Sequence, residues 1–132
     1  LDLKSQIGTT VGPIEFAVTQ ERMDLFARAV RAPVRSVAHP MFLTIFRQAE
    51  FELLQKLALP LSRILHGEQE YEFHDDLKSG DVAVFTTRLT NVMEKQGAHP
   101  MRILTFETVV TAGRPIARAK TVFIHREVPA QT

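Results

Sequence analysis

"HPMFLTIFRQAEFELLQKLALP", residues 39–60, decides how this chain folds. Pro40 suits the first position of a helix, where the N–H it lacks would have no partner anyway. Beyond it Phe42, Phe46, Ala49, Leu53 and Leu57 recur on one helical face. The spacing predicts a helix from Pro40 to about Leu57, stopping before Pro60. Met41 and Phe51 fall elsewhere around the wheel. A helix apolar on more than one side is expected to be enclosed by other elements.

The flanking sequence says what encloses it. Residues 11–18, "VGPIEFAV", read as a short strand. Thr19 then caps a first helix, with Glu21 in its opening turn and Met23, Phe26, Ala27 and Val30 on its inner face, until Pro33 ends the run. After Pro60 the pattern turns β-like. "EQEYEFH" (68–74) sets Gln69, Tyr71 and Phe73 on one face, and Glu68, Glu70 and Glu72 on a solvated one. "LKSGD" (77–81) is a turn, and 82–95, 102–112 and 116–126 are strands joined by Gly97–Pro100 and "GRP". The expected architecture is α+β: an antiparallel sheet curled around a long central helix, with residues 1–132 forming a single domain.

Composition narrows the functions. The 132 residues suit one domain with a real core. A net charge of +1, with Lys and Arg spread along the chain, gives no nucleic-acid footprint. There are no cysteines, hence no disulfide or thiolate metal site. His66 and His74 would stand about 26 Å apart on one strand, too far to share an ion. No metal and no cofactor are expected. No apolar run is long enough for a membrane span and no leader pattern opens the chain, so a cytoplasmic protein is expected. The sequence opens on Leu1 rather than Met, which is compatible with a longer product.

The stretch "LALPLSRILHGEQEYEFHDDLKSGDV" (57–82) closely resembles the N-terminal hot-dog domain of the MaoC-like dehydratases. These are relatives of (R)-specific enoyl-CoA hydratases and 3-hydroxyacyl-thioester dehydratases. Leu61-Ser62-Arg63, Leu65 through Gln69 and the Leu77–Asp81 turn carry the likeness, which extends over roughly residues 7 to 126. It implies a hot-dog fold and an acyl-CoA or acyl-carrier-protein thioester as ligand.

Active members of that family resemble one another in an Asp, a His five positions later, and an Ala-His-Gly stretch opening the central helix. The Asp/His pair activates water and protonates the α-carbon, and the glycine N–H holds the enolate oxygen. This sequence departs twice. "AHP" (38–40) puts Pro40, which has no N–H, where the donor glycine stands. "VRAPVRSV" (30–37) contains no Asp, Glu or His. One oxyanion donor is worth roughly 2.7–4 kcal/mol, and acid–base catalysis roughly 10²–10⁴-fold. The resemblance therefore implies a non-catalytic acyl-thioester-binding subunit, in a homodimer or in a heterodimer with a catalytic hot-dog subunit. A self-sufficient hydratase is expected only if a segment near Pro33-Val34 carrying the pair is missing from the sequence.

Several residues are candidates for the site. His39 is read first as a capping or packing residue, with ligand contact or catalysis the alternative. Arg31 and Arg35 are candidates for the phosphates of CoA or of a pantetheine arm. Pro40 and Phe42 stand at the start of the helix. His66 and Gly67 belong to the resembled motif, with Gly67 permitting close backbone approach and substrate contact the alternative for His66. Glu50 borders the apolar face, on a flank expected to reach solvent or an Arg. It also supports a competing reading, a hot-dog thioesterase with Glu50 as base. A third reading is a binding module without any reaction.

Overall fold

The computed structural model describes residues 2–38 and 40–127, with the backbone alone at 40, 41 and 45. A short 3₁₀ turn (Leu3–Gln6) precedes β1 (Thr10–Ala17) and α1 (Gln20–Ala29). A 3₁₀ segment (Pro40–Arg47) runs into α2 (Gln48–Lys56), and a 3₁₀ turn (Leu61–Arg63) leads to β2 (Ile64–Phe73). β3 (Val82–Lys95), β4 (Met101–Thr111) and β5 (Pro115–Arg126) complete the sheet. The strand order is β1-β3-β4-β5-β2, and every pairing is antiparallel.

Local chemistry accounts for the elements. The Thr19 side chain accepts from the Arg22 N–H at 3.1 Å, capping α1. The helix ends at Ala29, before Pro33, because Arg31 turns into the left-handed region at φ 57°. Val30, expected on the inner face, is 45% exposed at the C-cap. In β1 the pairing with β3 slips between Val11 and Ile14. A Cβ at Gly12, whose φ is 120°, would lie 2.7 Å from the Phe85 carbonyl oxygen. Only glycine fits there.

The central helix is not the long α-helix that the spacing predicts. Its first eight residues wind as 3₁₀ and only Gln48–Lys56 is α-helical. The composition explains the break. "FLTIF" is aromatic and β-branched, with side chains that lose freedom in an α-helix, whereas "AEFELLQK" is rich in strong helix formers. Nor is the helix enclosed all round, since Phe51 is 43% exposed beneath the Arg47 guanidinium, 5.2 Å from its ring centre.

The predicted inner face is nonetheless buried in full at Phe42, Phe46, Ala49, Leu53 and Leu57. It packs into two apolar halves. Phe42, Phe46, Phe85 and Met23 form one, with Phe16 meeting Phe42 and Phe46 edge-on. Leu53, Leu54, Leu89, Leu104, Phe106 and Phe123 form the other. Full burial of each such side chain contributes roughly 1.5–3 kcal/mol. Polar residues lie between the halves: Thr87 separates Phe85 from Leu89, Thr108 separates Phe106 from Val110, and Thr121 separates Ala119 from Phe123. Thr87 and Thr108 are direct partners across β3 and β4, their hydroxyls 2.6 Å apart.

Candidate functional site

Where the chain approaches the central helix, its backbone is tied to the loop after β2. Val37 bridges Lys78, and the Ala38 N–H donates to the Leu77 carbonyl at 2.7 Å. Beside this junction opens a pocket of about 450 Å³. Its floor is apolar and buried, made by Phe42, Leu43, Leu77 and Ile116. Its lip is exposed, with Phe73 followed by His74, Asp75 and Asp76. An apolar floor with a polar lip suits a ligand that joins a hydrocarbon part to a polar head.

Arg114 fixes that lip. Its guanidinium donates to Asp75 at 2.6 Å, to Asp81 at 3.0 and 3.2 Å, and to the Asp76 carbonyl at 2.6 Å. The hydrogen bonds from Arg114 hold the Asp75 and Asp81 carboxyls below their ordinary value, and the two carboxylates keep Arg114 protonated. On the same lip, His74 Nε2 lies 3.7 Å from the Glu72 carboxylate.

Across Leu43 from the pocket lies a second, much smaller cavity of about 10 Å³ beside Glu50. Glu50 is 2% exposed, not at a solvent-facing flank. One carboxylate oxygen accepts from Arg47 Nε at 2.9 Å and the other from the Thr121 hydroxyl at 2.5 Å. The Arg expected from the sequence is therefore present, as a partner inside the fold. The Thr121 oxygen is also 3.0 Å from Gln69 Oε1. A hydroxyl has one proton, and the charged, closer acceptor holds it. Gln69 Oε1 is in turn 3.1 Å from His66 Nε2, so polar contacts run from α2 through β5 to the exposed face of β2. Burial pushes the Tyr71 phenol above its ordinary value, and the Glu50 charge adds to the effect. The cavity has room for about one water. A thioester does not fit beside Glu50 there.

Of the residues singled out in the sequence, Phe42 lies in the pocket floor. His39 lies outside the described residues, and of Pro40 the backbone alone is described, as the first residue of the 3₁₀ segment. Arg31 and Arg35 are exposed on the connection before it, and the Arg35 carbonyl accepts from Gln20 Nε2 at 2.9 Å. His66 stands on β2, its ring 5.7 Å from that of Phe123 and apart from the pocket lining. Gly67 sits where the pairing of β2 with β5 slips, and a Cβ there would lie 3.3 Å from Ile124 Cδ1. Among the described residues no group of His, Asp and Glu could hold a metal ion. No helix among them is long and apolar enough to cross a membrane.

Neither the lip nor the Thr121 contact of Glu50 is among the sequence expectations. "HDD" (74–76) was visible as a run of polar groups just past a strand. The inward alternation Ala117, Ala119, Thr121, Phe123 places a hydroxyl among apolar neighbours, which signals a buried polar partner. Nothing in the sequence pattern identifies that partner as Glu50.

Comparison with known proteins gives a consistent picture. Residues 33–119 match the family described as the FAS1-like dehydratase domain region. The chain is 27% identical to a UPF0336 protein of Thermobifida fusca over 139 residues, 91% of each. Among solved structures it is similar to the C-terminally truncated HadBC (3R-hydroxyacyl-ACP dehydratase) complex of Mycobacterium tuberculosis. That likeness has a TM-score of 0.75 at 21% identity, covering 90% of this chain and 96% of that one. The ChsH1-ChsH2 complex of the same organism gives a TM-score of 0.71 at 14% identity, covering 98% and 94%.

Proposed function

The chain belongs to the family described as the FAS1-like dehydratase domain region and has the hot-dog fold of its structural relatives, and from that premise we propose that it is a MaoC-like, non-catalytic, acyl-thioester-binding subunit of a 3-hydroxyacyl-thioester dehydratase or enoyl-thioester hydratase. A second hot-dog subunit supplies the acid/base pair and the enolate donor, and the assembly works in the cytoplasm. The carrying observation is Pro40. It opens the 3₁₀ segment at the position where the resembled motif has its donor glycine, and it has no N–H to offer.

Two further features support the reading. The pocket beside the junction joins a buried apolar floor to a polar lip, as an acyl chain on a polar arm requires. The outer edge of β2 is unpaired among the described residues, and Leu65 and Phe73 on that strand are 52% and 51% exposed. An unpaired edge with exposed apolar side chains favours a second subunit. The two structural relatives named above are themselves two-subunit complexes.

Hydration of crotonyl-CoA, followed by loss of enoyl-thioester absorbance, tests the proposal. The purified chain alone is expected to give no rate above background. Mixing it with a hot-dog subunit that carries the Asp/His pair is expected to raise that subunit's rate. A robust rate from the chain alone would overturn the non-catalytic assignment. The lip then favours a second reading, because His74 and Asp76 line the mouth of the pocket. Loss of that rate in both His74→Ala and Asp76→Ala would locate the acid/base groups there.

A further inference from the structure

Leu43 belongs to two cavities at once. On one side it closes the floor of the 450 Å³ pocket with Phe42, Leu77 and Ile116. On the other it bounds the 10 Å³ cavity that holds Glu50, Tyr71 and Ala119. It is 8% exposed.

The 3₁₀ winding accounts for this placement. Side chains three residues apart on such a helix stand directly over one another. Leu43 and Phe46 therefore make one ridge along the inner cavity, while Phe42 borders the outer pocket without reaching the inner one.

The other floor residues, Phe42, Leu77 and Ile116, do not line the inner cavity. Phe42 meets Phe16, Phe26 and Phe46 edge-on, at ring separations of 6.4, 5.4 and 6.3 Å. Ile116 is 1% exposed, and its carbonyl accepts from the His74 and Asp75 N–H groups. Behind Leu43, by contrast, the sheet presents Ala117 and Ala119, whose small side chains leave the inner cavity open. A chain growing down the pocket meets packed aromatic rings at Phe42, but a single aliphatic side chain backed by free volume at Leu43.

We infer that Leu43 is the depth stop of the pocket: it sets how long a straight aliphatic chain the site accepts and separates the end of that chain from the Glu50 carboxylate. The inference rests on the acyl-thioester reading above and adds the residue that limits the chain. Moving a hydrocarbon end past Leu43 would bring it against a buried charge and a phenol, so the barrier is chemical as well as steric.

The test is a titration of the full chain with S-acyl-pantetheines from butanoyl to hexadecanoyl, which carry the arm common to CoA and acyl carrier proteins. In the wild type, affinity is expected to rise about fourfold per added methylene and then level off at a fixed length. Leu43→Ala is expected to move that plateau to chains longer by about three carbons, the number the substitution removes. Leu43→Phe is expected to move it to shorter chains, and it keeps the test decisive if the alanine variant fails to fold. A plateau that stays in place in a folded variant would overturn the role of Leu43 alone. If no acyl chain of any length binds the wild type, the acyl-thioester reading falls and this inference falls with it.

Discussion

Thr121, at the middle of β5, donates its hydroxyl to the carboxylate of Glu50 in the first turn of α2, at 2.5 Å and with both residues almost wholly buried. This contact joins helix to sheet where the core is polar. The two apolar halves pack on either side of it. With Arg47 holding the other oxygen, the carboxylate is fully occupied inside the fold.

Thr121→Val keeps the shape and removes the donor. A buried carboxylate oxygen then loses its partner, at a cost of roughly 1–3 kcal/mol. Urea denaturation should show that loss. Arg47→Leu strips the other oxygen and should cost more, towards about 3–5 kcal/mol, because it leaves an uncompensated charge. The double variant should depart from the sum of the two losses, since both substitutions act on one group.

Arg114→Ala should free the loop that forms the pocket lip. Amide exchange is expected to quicken across residues 74–81, while β3 and β4 stay protected, and acyl-pantetheine affinity should fall. The acid response follows from the same pairing. Asp75 and Asp81 have carboxyls held below their ordinary value of 3.8. Their contribution is therefore present above that value and is lost as pH falls through the folded-state values. The stability gap between wild type and Arg114→Ala should narrow below about pH 3.8.

His125 predicts a separate and milder pH window. It is 6% exposed, and its buried Nδ1 has no hydrogen-bond partner among the described residues. Burial, and after it the charge of Arg102, lowers its pKa from 6.5. The unfolded chain therefore takes up the proton first as pH drops. Stability is full above about 6.5 and declines below it, until the folded state also protonates. Thermal midpoints between about pH 7 and pH 5 should fall less steeply in His125→Phe than in the wild type.

Pro40→Gly restores the missing N–H at the start of the 3₁₀ segment. It supplies no acid or base. Under the proposed function, the variant chain alone should still hydrate crotonyl-CoA at background rate. Activity appearing in this single variant would mean that the acid/base groups are already present in the chain.

The sheet was legible because its signals are local. Period-two alternation, turn glycines and prolines placed β3 to β5 within about a residue of their observed limits. The alternation predicts β2 from Glu68, whereas it starts at Ile64, because residues 61–67 carry no strand periodicity of their own. The helix face was right at Phe42, Phe46, Ala49, Leu53 and Leu57, since three-residue and four-residue spacings look alike for 3₁₀ and α. The winding itself was not legible, nor was the exposure of Phe51. The spacing puts Glu50 beside the apolar face, but Thr121 lies 71 positions away, and only the fold brings the two together.

The strand order also dictates how this chain can come into being during synthesis. The first 73 residues hold β1, both helices and β2, yet among the described residues β1 pairs only with β3 and β2 only with β5. A nascent chain released that far contains two strands with no sheet to join and a greasy helix with nothing to cover it. Then β3, β4 and β5 emerge as a meander of neighbours that can zip together from short-range contacts. The early half must therefore wait, exposed, for the late half to give it a template. A ribosome stalled before Val82 would leave β1 and β2 without the strands they pair with, a product that quality-control proteases should clear.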